Sequence, residues 1–499
     1  MKEINVGFIG LGRISDMHFP GYQTVENARV LAVCDVNEDL AKQRAKEYGI
    51  DRYYTDYREM LADPDIQAVE ILTPHHLHEP MVLAAAEAGK HIALQKPMAN
   101  SLESADRMLD AVKKAGVVFR VSDNYVFYPP VIKAREMIEA GAIGEPSNLS
   151  IKLISGGLGG WTIPPGSWEW RVRETREGRG LQTFDHGHHL WTTAWFLLGE
   201  MERVTSWIDS ADGIVDCPAV MMWRYRDGVK YGICEYAYAV NLNVPSKYYA
   251  NDEWIQVIGS NGIIMIHRCT GNLLEGPVLS YFDGNKWEHF DDLACDWAEG
   301  FKGATRNYIA AIRGEEPPLL NGDQARQILR SSLAISKSSI ERREVYVDEL
   351  DASWPRLYTW QKIRKEKAAR GEKKGIMARL GLGGKDAKYA GQAFDLTKAL
   401  LDRFNADAVS GWSAEIGLVL MPEGDAGEKK FHLSIRDGQT ELHENSLPEK
   451  PVLVIRVPAG TWAAILMKKK RLETAFLQGR LKLEGQAEQG LKLRQAFGI

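Results

Sequence analysis

The chain opens on an apolar run, Ile4 to Ile9, that passes straight into Gly10-Leu11-Gly12-Arg13-Ile14-Ser15. A strand ending in such a turn restricts what the first domain can be. Gly10 permits the tight strand-to-helix reversal, Gly12 lets the backbone approach a pyrophosphate, and the helix that follows turns its free N–H groups toward the phosphates. Ser15 stands where a third small residue commonly packs helix on strand. A glycine turn alone is a weak signal, and a purely structural turn is the alternative. Here a strand precedes it, a helix follows, and an acid, Asp35, ends the next apolar run, Val30 to Cys34. Asp35 would accept hydrogen bonds from a ribose diol and repel a 2′-phosphate, which favours NAD over NADP. Gly10, Gly12, Arg13, Ile14 and Asp35 are therefore cofactor candidates.

Strand-like and helix-like stretches then alternate to about residue 121, with helical spacing at 38–48, 79–89 and 102–114 and strands at 68–73 and 91–95. Short connections between them argue for a parallel sheet wrapped by helices over residues 1–122. The pattern changes after Pro129. Longer, turn-separated strands at 147–155, 220–226, 231–240 and 254–259 predict an open, mostly antiparallel sheet. Helices near 131–140 and 185–198 interrupt it, and a helix at 325–339 and a strand at 344–347 close a second domain, 123–354. Residues 355–389 read as a basic linker, because Pro355 to Ala390 holds eleven Lys/Arg against three Asp/Glu. A solvated helix and linker is the plain reading, and docking on an acidic surface the other. A third, small α+β unit fills 390–499.

At 499 residues the chain exceeds one core and suits about three domains. A net charge of −5 argues against nucleic acid as a partner. No apolar run approaches the ~18 residues of a membrane helix. The first strand begins too early to leave room for a signal peptide. Five scattered cysteines suit a reducing cytoplasm.

Oxidising an alcohol with NAD needs a base for the hydroxyl proton and a geometry that brings the carbon to the nicotinamide. Lys96, at a strand end and fixed by Pro97, is placed to be that base, with Gln95 beside the cofactor. Thr73-Pro74 ends another strand where a nicotinamide would lie, and His75 and His78 follow. Asp185 and His189 are four apart and would share a helix face. The carboxylate would orient either the imidazole or the lysine, and His189 would hold or deprotonate the hydroxyl. An exposed lysine and a helix-capping aspartate are the alternative. Half of the twelve histidines sit at 75–78 and 186–189, but no cysteine joins them and the two groups are far apart in sequence, so no metal is expected. Trp161, Trp168 and Trp170 lie in a predicted Gly/Pro-rich loop and either line a substrate pocket or pack. Trp191 and Trp195 follow a helix face and read as core. Arg171 in the same loop would bind an anionic group or stay at the surface; Asn124 and His188 are further substrate candidates.

On these residues the first 350 positions resemble the glucose–fructose oxidoreductase/inositol dehydrogenase (Gfo/Idh/MocA) family. The matching pieces are Gly7 to Gly12, Thr73-Pro74 with His78, Ala88-Gly89-Lys90-His91, Lys96-Pro97, Gly141 to Gly144, Asp185 with His189, and Ile258 to Gly262. The resemblance implies a Rossmann domain, an α/β domain whose open sheet makes homo-oligomer contacts, and NAD(P)-linked oxidation of a sugar, polyol, cyclitol or glycoside. It carries the catalytic roles to Lys96, Asp185 and His189. Two departures stand out: Gln95 where the family usually has Glu, and His75 in place of the more usual Asn. Some relatives cleave glycosides by transient oxidation, which release of free sugar without net NADH would single out. A non-catalytic NAD- and lipid-binding protein is the third reading.

The last 110 residues resemble the sterol carrier protein-2 (SCP2) family, on Leu433 to Gly438, Leu453-Val454-Ile455, Ala459 to Trp462 and Gly479 to Gly485. That resemblance implies a lipid tunnel. Phe394, Trp412, Phe431, Trp462, Leu466, Phe476 and Phe497 would line it, or would form a closed core.

Overall fold

The computed structural model describes residues 3–161, 165–176, 179–210, 215–352, 354, 386–409, 411–423, 426–436, 438–486 and 488–499. The basic linker expected over 355–389 lies, up to residue 385, outside the described residues.

The first domain alternates β1 (Ile4–Ile9), α1 (Ser15–Tyr22), β2 (Ala28–Cys34), α2 (Glu38–Tyr48), β3 (Arg52–Tyr54), α3 (Tyr57–Ala62), β4 (Ala68–Ile71), α4 (His78–Glu87), β5 (His91–Gln95), α5 (Leu102–Ala115) and β6 (Phe119–Ser122). Local chemistry fixes the helix ends. The Asn37 side chain accepts from the Leu40 N–H at the start of α2, and Gly49 ends that helix in the left-handed conformation. Ser101 and Gly116 do the same for α5. The strands pair in parallel in the order β3-β2-β1-β4-β5-β6, with the central strands buried on both faces and the edge strand β3 exposed. The chain direction across the sheet reverses between β1 and β4. At such a switch point the strand ends splay and leave a crevice for a dinucleotide.

The second domain runs α6 (Pro129–Glu139), β7 (Pro146–Leu158), α7 (Pro165–Arg176), α8 (Gly187–Leu198), β8 (Met201–Ile208), β9 (Ala219–Tyr225), β10 (Tyr231–Asn243), β11 (Asn251–Gly259), β12 (Ile263–Ile266), β13 (Leu279–Phe282), β14 (Trp287–Phe290), α9 (Ala298–Ile312), α10 (Gly322–Glu341) and β15 (Val345–Tyr346). Its sheet has the order β14-β13-β12-β11-β7-β10-β9-β8-β15, antiparallel throughout except between β7 and β10. Period-two alternation sends Leu149, Ile151, Leu153, Met221, Trp223, Cys234 and Ile255 into the core. The opposite face leaves Trp207, Met222, Tyr231 and Tyr346 exposed. Helices α9 and α10 return to the first domain. α9 packs on α1 and α10 on α5, and Tyr308 and Ile309 join the core formed by β1 and α1.

The third domain adds α11 (Ala393–Lys398), β16 (Ala414–Met421), β17 (Lys429–Arg436), β18 (Gln439–Glu444), β19 (Leu453–Pro458), α12 (Ala459–Leu466), α13 (Leu472–Leu477), β20 (Lys482–Gly485) and α14 (Glu488–Phe497). Its sheet order is β18-β17-β16-β19-β20, with β16 and β19 parallel. Trp412, Phe431, Trp462, Leu466 and Phe497 are buried together, and Phe394 and Phe476 pack half-buried against them. Most of these residues form a packed core, while Leu466 and Phe497 also border an opening. A cavity of about 560 Å³ opens at its rim, lined by Arg403, Leu466, Met467, Lys468, Phe497 and Gly498. The domain rests on the second: α13 lies against α7, and Arg471 Nη1 reaches Tyr238 Oη at 3.3 Å.

Candidate active site

The turn after β1 is shaped by one residue that only glycine tolerates. Gly10 sits at φ +94°, and a Cβ there would lie 2.9 Å from the Leu72 carbonyl oxygen. A Cβ on Gly12 would meet nothing within 4 Å, so the outer side of the turn is open where a pyrophosphate approaches the start of α1. Ser15, the first residue of that helix, is fully buried. Asp35, just past β2, accepts from the Leu11 N–H through Oδ2 and from the Asn37 N–H through Oδ1, both at 2.9 Å. The carboxylate is thus held at the edge of the crevice, with lone pairs left for a ribose diol. No side chain caps Ile14 at the head of α1, and the Arg13 guanidinium lies 5.1 Å over the Trp161 ring. These residues fit an adenine dinucleotide laid across the switch point.

The catalytic candidates meet at the C-terminal ends of β4, β5 and β6. Lys96 Nζ donates to Asp185 Oδ1 at 2.8 Å and to the Asp185 carbonyl at 2.7 Å. Arg171 Nε donates to Asp185 Oδ2 at 3.0 Å, and His75 Nε2 lies 3.4 Å from Oδ1. Burial alone would raise the Asp185 carboxyl, but Lys96, Arg171 and His75 hold it well below the usual carboxylate range. His189 Nδ1 donates to Asp123 Oδ1 at 2.8 Å, and Tyr125 stacks on the His189 ring with centroids 4.7 Å apart. Burial pushes His189 down to about 4, so near neutral pH it is a neutral imidazole. With Nδ1–H given to Asp123, its Nε2 keeps a lone pair for a hydroxyl proton.

Asp185 belongs to a π-helical turn, Leu181–His186, and α8 begins only at Gly187, so Asp185 and His189 lie on consecutive helical segments and not on one α-helix. Asp216 holds the start of that turn, accepting from the Gln182 N–H at 2.6 Å and the Thr183 N–H at 2.8 Å. Asp185 binds the lysine, and the imidazole is oriented by Asp123, which sequence reasoning missed. Its only sequence signal is an acid directly after a strand. The predicted Gly/Pro-rich loop is also corrected: Trp168, Trp170 and Arg171 lie on helix α7.

The other candidates divide. His75 is buried, with Nδ1 2.8 Å from Glu174 Oε2 and its ring 4.8 Å from that of Trp170. The Arg171 guanidinium lies over the Trp170 ring at 4.2 Å. Thr73 and Pro74 lead into the short helical turn His75–Leu77. His78 lies below the cleft: Nε2 faces the Thr73 carbonyl at 2.9 Å and Nδ1 the Pro97 carbonyl at 3.0 Å, which ties the two strand ends together. Gln95 Oε1 accepts from the Lys96 N–H, and its amide reaches His18 Nε2 at 3.2 Å. His18 in turn meets buried Glu70 at 2.6 Å. A buried carboxylate one strand away thus sits behind the position where the family's Glu would stand. Asn124 is buried against the Trp297 carbonyl, and His188 is buried without a partner for Nδ1. Trp161 sits across the crevice against Tyr248 and Tyr249, and Trp168 is half-buried. Among the described residues no group of three or more His, Cys, Asp or Glu is placed to hold a metal.

A dinucleotide crevice with a lysine–carboxylate pair and an oriented imidazole at its mouth defines an NAD-dependent oxidoreductase. The family follows from comparison. Residues 4–123 match the model of the oxidoreductase family with an NAD-binding Rossmann fold, and residues 131–265 match the GFO/IDH/MocA C-terminal domain. The chain belongs to the GFO/IDH/MocA family. A second match, to the SCP-2 sterol transfer family, covers residues 397–498. The scyllo-inositol 2-dehydrogenase (NAD(+)) of Bacillus subtilis is 37% identical over 352 residues, spanning 69% of this chain and 97% of that protein. The myo-inositol 2-dehydrogenase of Thermotoga maritima is 27% identical over 356 residues, 70% of this chain and 99% of that protein. Among solved structures, a levoglucosan dehydrogenase in complex with NADH and levoglucosan superposes with a TM-score of 0.58 at 25% identity, covering 70% of this chain and all of that one. Among the described residues no helix is long and apolar enough to cross a membrane.

Proposed function

We propose that this enzyme oxidises a secondary hydroxyl of a sugar, cyclitol or glycoside, with Lys96 taking the hydroxyl proton and His189 and Asp185 positioning the reacting group. The observation that carries this reading is the convergence of Lys96 Nζ, clamped by Asp185, and a neutral His189, clamped by Asp123, at the strand ends beside the cofactor crevice. Bound NAD supplies the hydride acceptor. The protein's own part is to hold the hydroxyl between an amine and an imidazole lone pair. The inositol and levoglucosan dehydrogenases among the relatives support a polyol or anhydrosugar ring as substrate class.

The test is NADH formation with a panel of inositols, levoglucosan and alkyl glycosides. Turnover by the native enzyme, and its loss in K96A with NAD affinity retained, supports the reading; unchanged turnover in K96A overturns the assignment of Lys96. Free sugar without net NADH would instead favour glycoside cleavage.

Two further readings go with this one. The third domain handles an apolar aglycone or lipid, supported by its family and by the apolar rim of the cavity at Leu466, Met467 and Phe497. Mass spectrometry of small molecules released on denaturation tests this. The enzyme works as a homo-oligomer in a reducing compartment such as the cytoplasm, in keeping with its exposed sheet face and its five scattered cysteines.

A further inference from the structure

Taking a proton from a substrate hydroxyl creates a second problem, because the proton lands on Lys96, whose side chain is only 11% exposed. Unless it leaves, the base is not restored for the next turnover. A chain of titratable groups leads away from the lysine to the surface. Lys96 Nζ lies 2.8 Å from Asp185 Oδ1, which lies 3.4 Å from His75 Nε2. His75 Nδ1 lies 2.8 Å from Glu174 Oε2, and Glu174 Oε1 lies 3.4 Å from His76 Nδ1. His76, with 35% of its side chain exposed, reaches solvent beside Arg173, whose Nη2 lies 3.0 Å from Nδ1 and 2.7 Å from Nε2. A cavity of about 10 Å³, the size of one water, adjoins the middle of this chain between His75, Arg171, Glu174, Arg179 and Asp185.

We infer that His75, Glu174 and His76 form the proton exit of this active site, returning to solvent the proton that the dehydrogenase reaction leaves on Lys96. The inference rests on the dehydrogenase reading of the site. The step balances without a further reactant. The substrate loses a hydride to NAD and a proton to the Lys96 amine. The ammonium passes its proton through Asp185 to His75 Nε2, and His75 releases the one on Nδ1 to Glu174. Glu174 hands a proton to His76 and thence to water. His75 regains its starting tautomer by ring rotation.

The surroundings suit a shuttle. His75 faces Asp185 and Glu174 directly, with His76, His78 and His188 as further titratable neighbours and Lys96 and Arg171 on the far side of Asp185. Burial, which would press His75 down, is outweighed by Asp185 and Glu174, which hold it above the ordinary imidazole value. Glu174 is kept ionised against its own burial by His75 and Asn100. Asparagine, the more usual residue at position 75, has no titratable group and would break the chain.

The test is single-turnover stopped flow in weak buffer with NAD and a polyol from the panel above, following NADH absorbance and a pH-indicator dye together. In the native enzyme the proton should reach the dye with the NADH. In H75N and in E174Q it should lag behind NADH at least tenfold, and added imidazole buffer should shorten the lag in H75N. A purely structural role would slow NADH formation without separating the two signals. Coincident signals in both variants overturn the exit path while leaving the dehydrogenase reading intact. No NADH from the native enzyme with any polyol overturns both.

Discussion

At the scale of single residues, the site is two clamped pairs with separate tasks. Asp185 serves the lysine and Asp123 serves the imidazole. Replacing Asp123 by Asn leaves the shape but removes the acceptor that fixes the His189 tautomer, so kcat should fall by roughly 10²–10⁴-fold with KM little changed. Steady-state kinetics of D123N check this, and a change confined to KM would remove Asp123 from the machinery. Asp35 bears on a different specificity. Its carboxylate is held by two backbone N–H groups, so it would present fixed acceptors to a ribose in the proposed cofactor site. Each hydrogen bond to a charged group is worth about 1.5–3 kcal/mol. D35S should therefore weaken NAD by roughly 10–100-fold and narrow the gap to NADP, measured by titration of each dinucleotide. An unchanged NAD affinity would take Asp35 out of the ribose site.

At the scale of elements, the buried histidines of α4 and α8 bear on the stability of the fold at acid pH. Burial pushes His78 and His189 down to about 4 and His188 down to about 3. An unfolded histidine titrates near 6.5. The stabilisation from keeping these rings neutral is complete above about 6.5 and is lost as pH falls through the folded values, because the unfolded chain binds more protons there. Each ring contributes a slope of about 1.4 kcal/mol per pH unit in that window. His188, without a partner at Nδ1, is the ring whose removal disturbs fewest bonds. H188Q should make the urea unfolding free energy less steep between pH 6 and 4.5 by one proton's worth. An unaltered slope would mean that His188 does not titrate on unfolding.

Elements also show what the sequence could carry. The βα alternation, the Gly10 turn, Asp35 and the Lys96-Pro97 strand end were legible, because each is dictated by neighbours within a few residues. The open sheet of the second domain was legible as strands, but β8, β12, β13 and β14 and helix α9 were not, since their pairing and packing are non-local. Asp123 and Glu174 escaped for the same reason: their partners lie 66 and 99 positions away, at His189 and His75. The π-helical turn was invisible because the carboxylate that holds it, Asp216, comes 33 residues after Thr183.

At the scale of the whole molecule, the nine-stranded sheet has one face covered by helices and one that is bare among the described residues. The register places Arg203, Thr205 and Trp207 of β8 on the same side as Val220, Met222 and Arg224 of β9 and Tyr231 of β10, with Tyr346 of β15 beside Arg203. Trp207 is 63% exposed, and Tyr231 and Tyr346 each 49%. Several large apolar side chains on one flat sheet face are costly to leave in water and are the mark of an interface. An isologous contact would place Trp207 of each copy against the same surface of the other. W207E puts a charge on that face, at the end of β8, without touching the cleft, which lies on the helical side of the sheet. It should lower the assembly order seen by size-exclusion chromatography with light scattering while leaving the chain's NAD affinity as it was. A native enzyme that is monomeric from the outset, or a W207E variant that assembles as the native one does, would show that the bare face meets something other than a second copy of this chain.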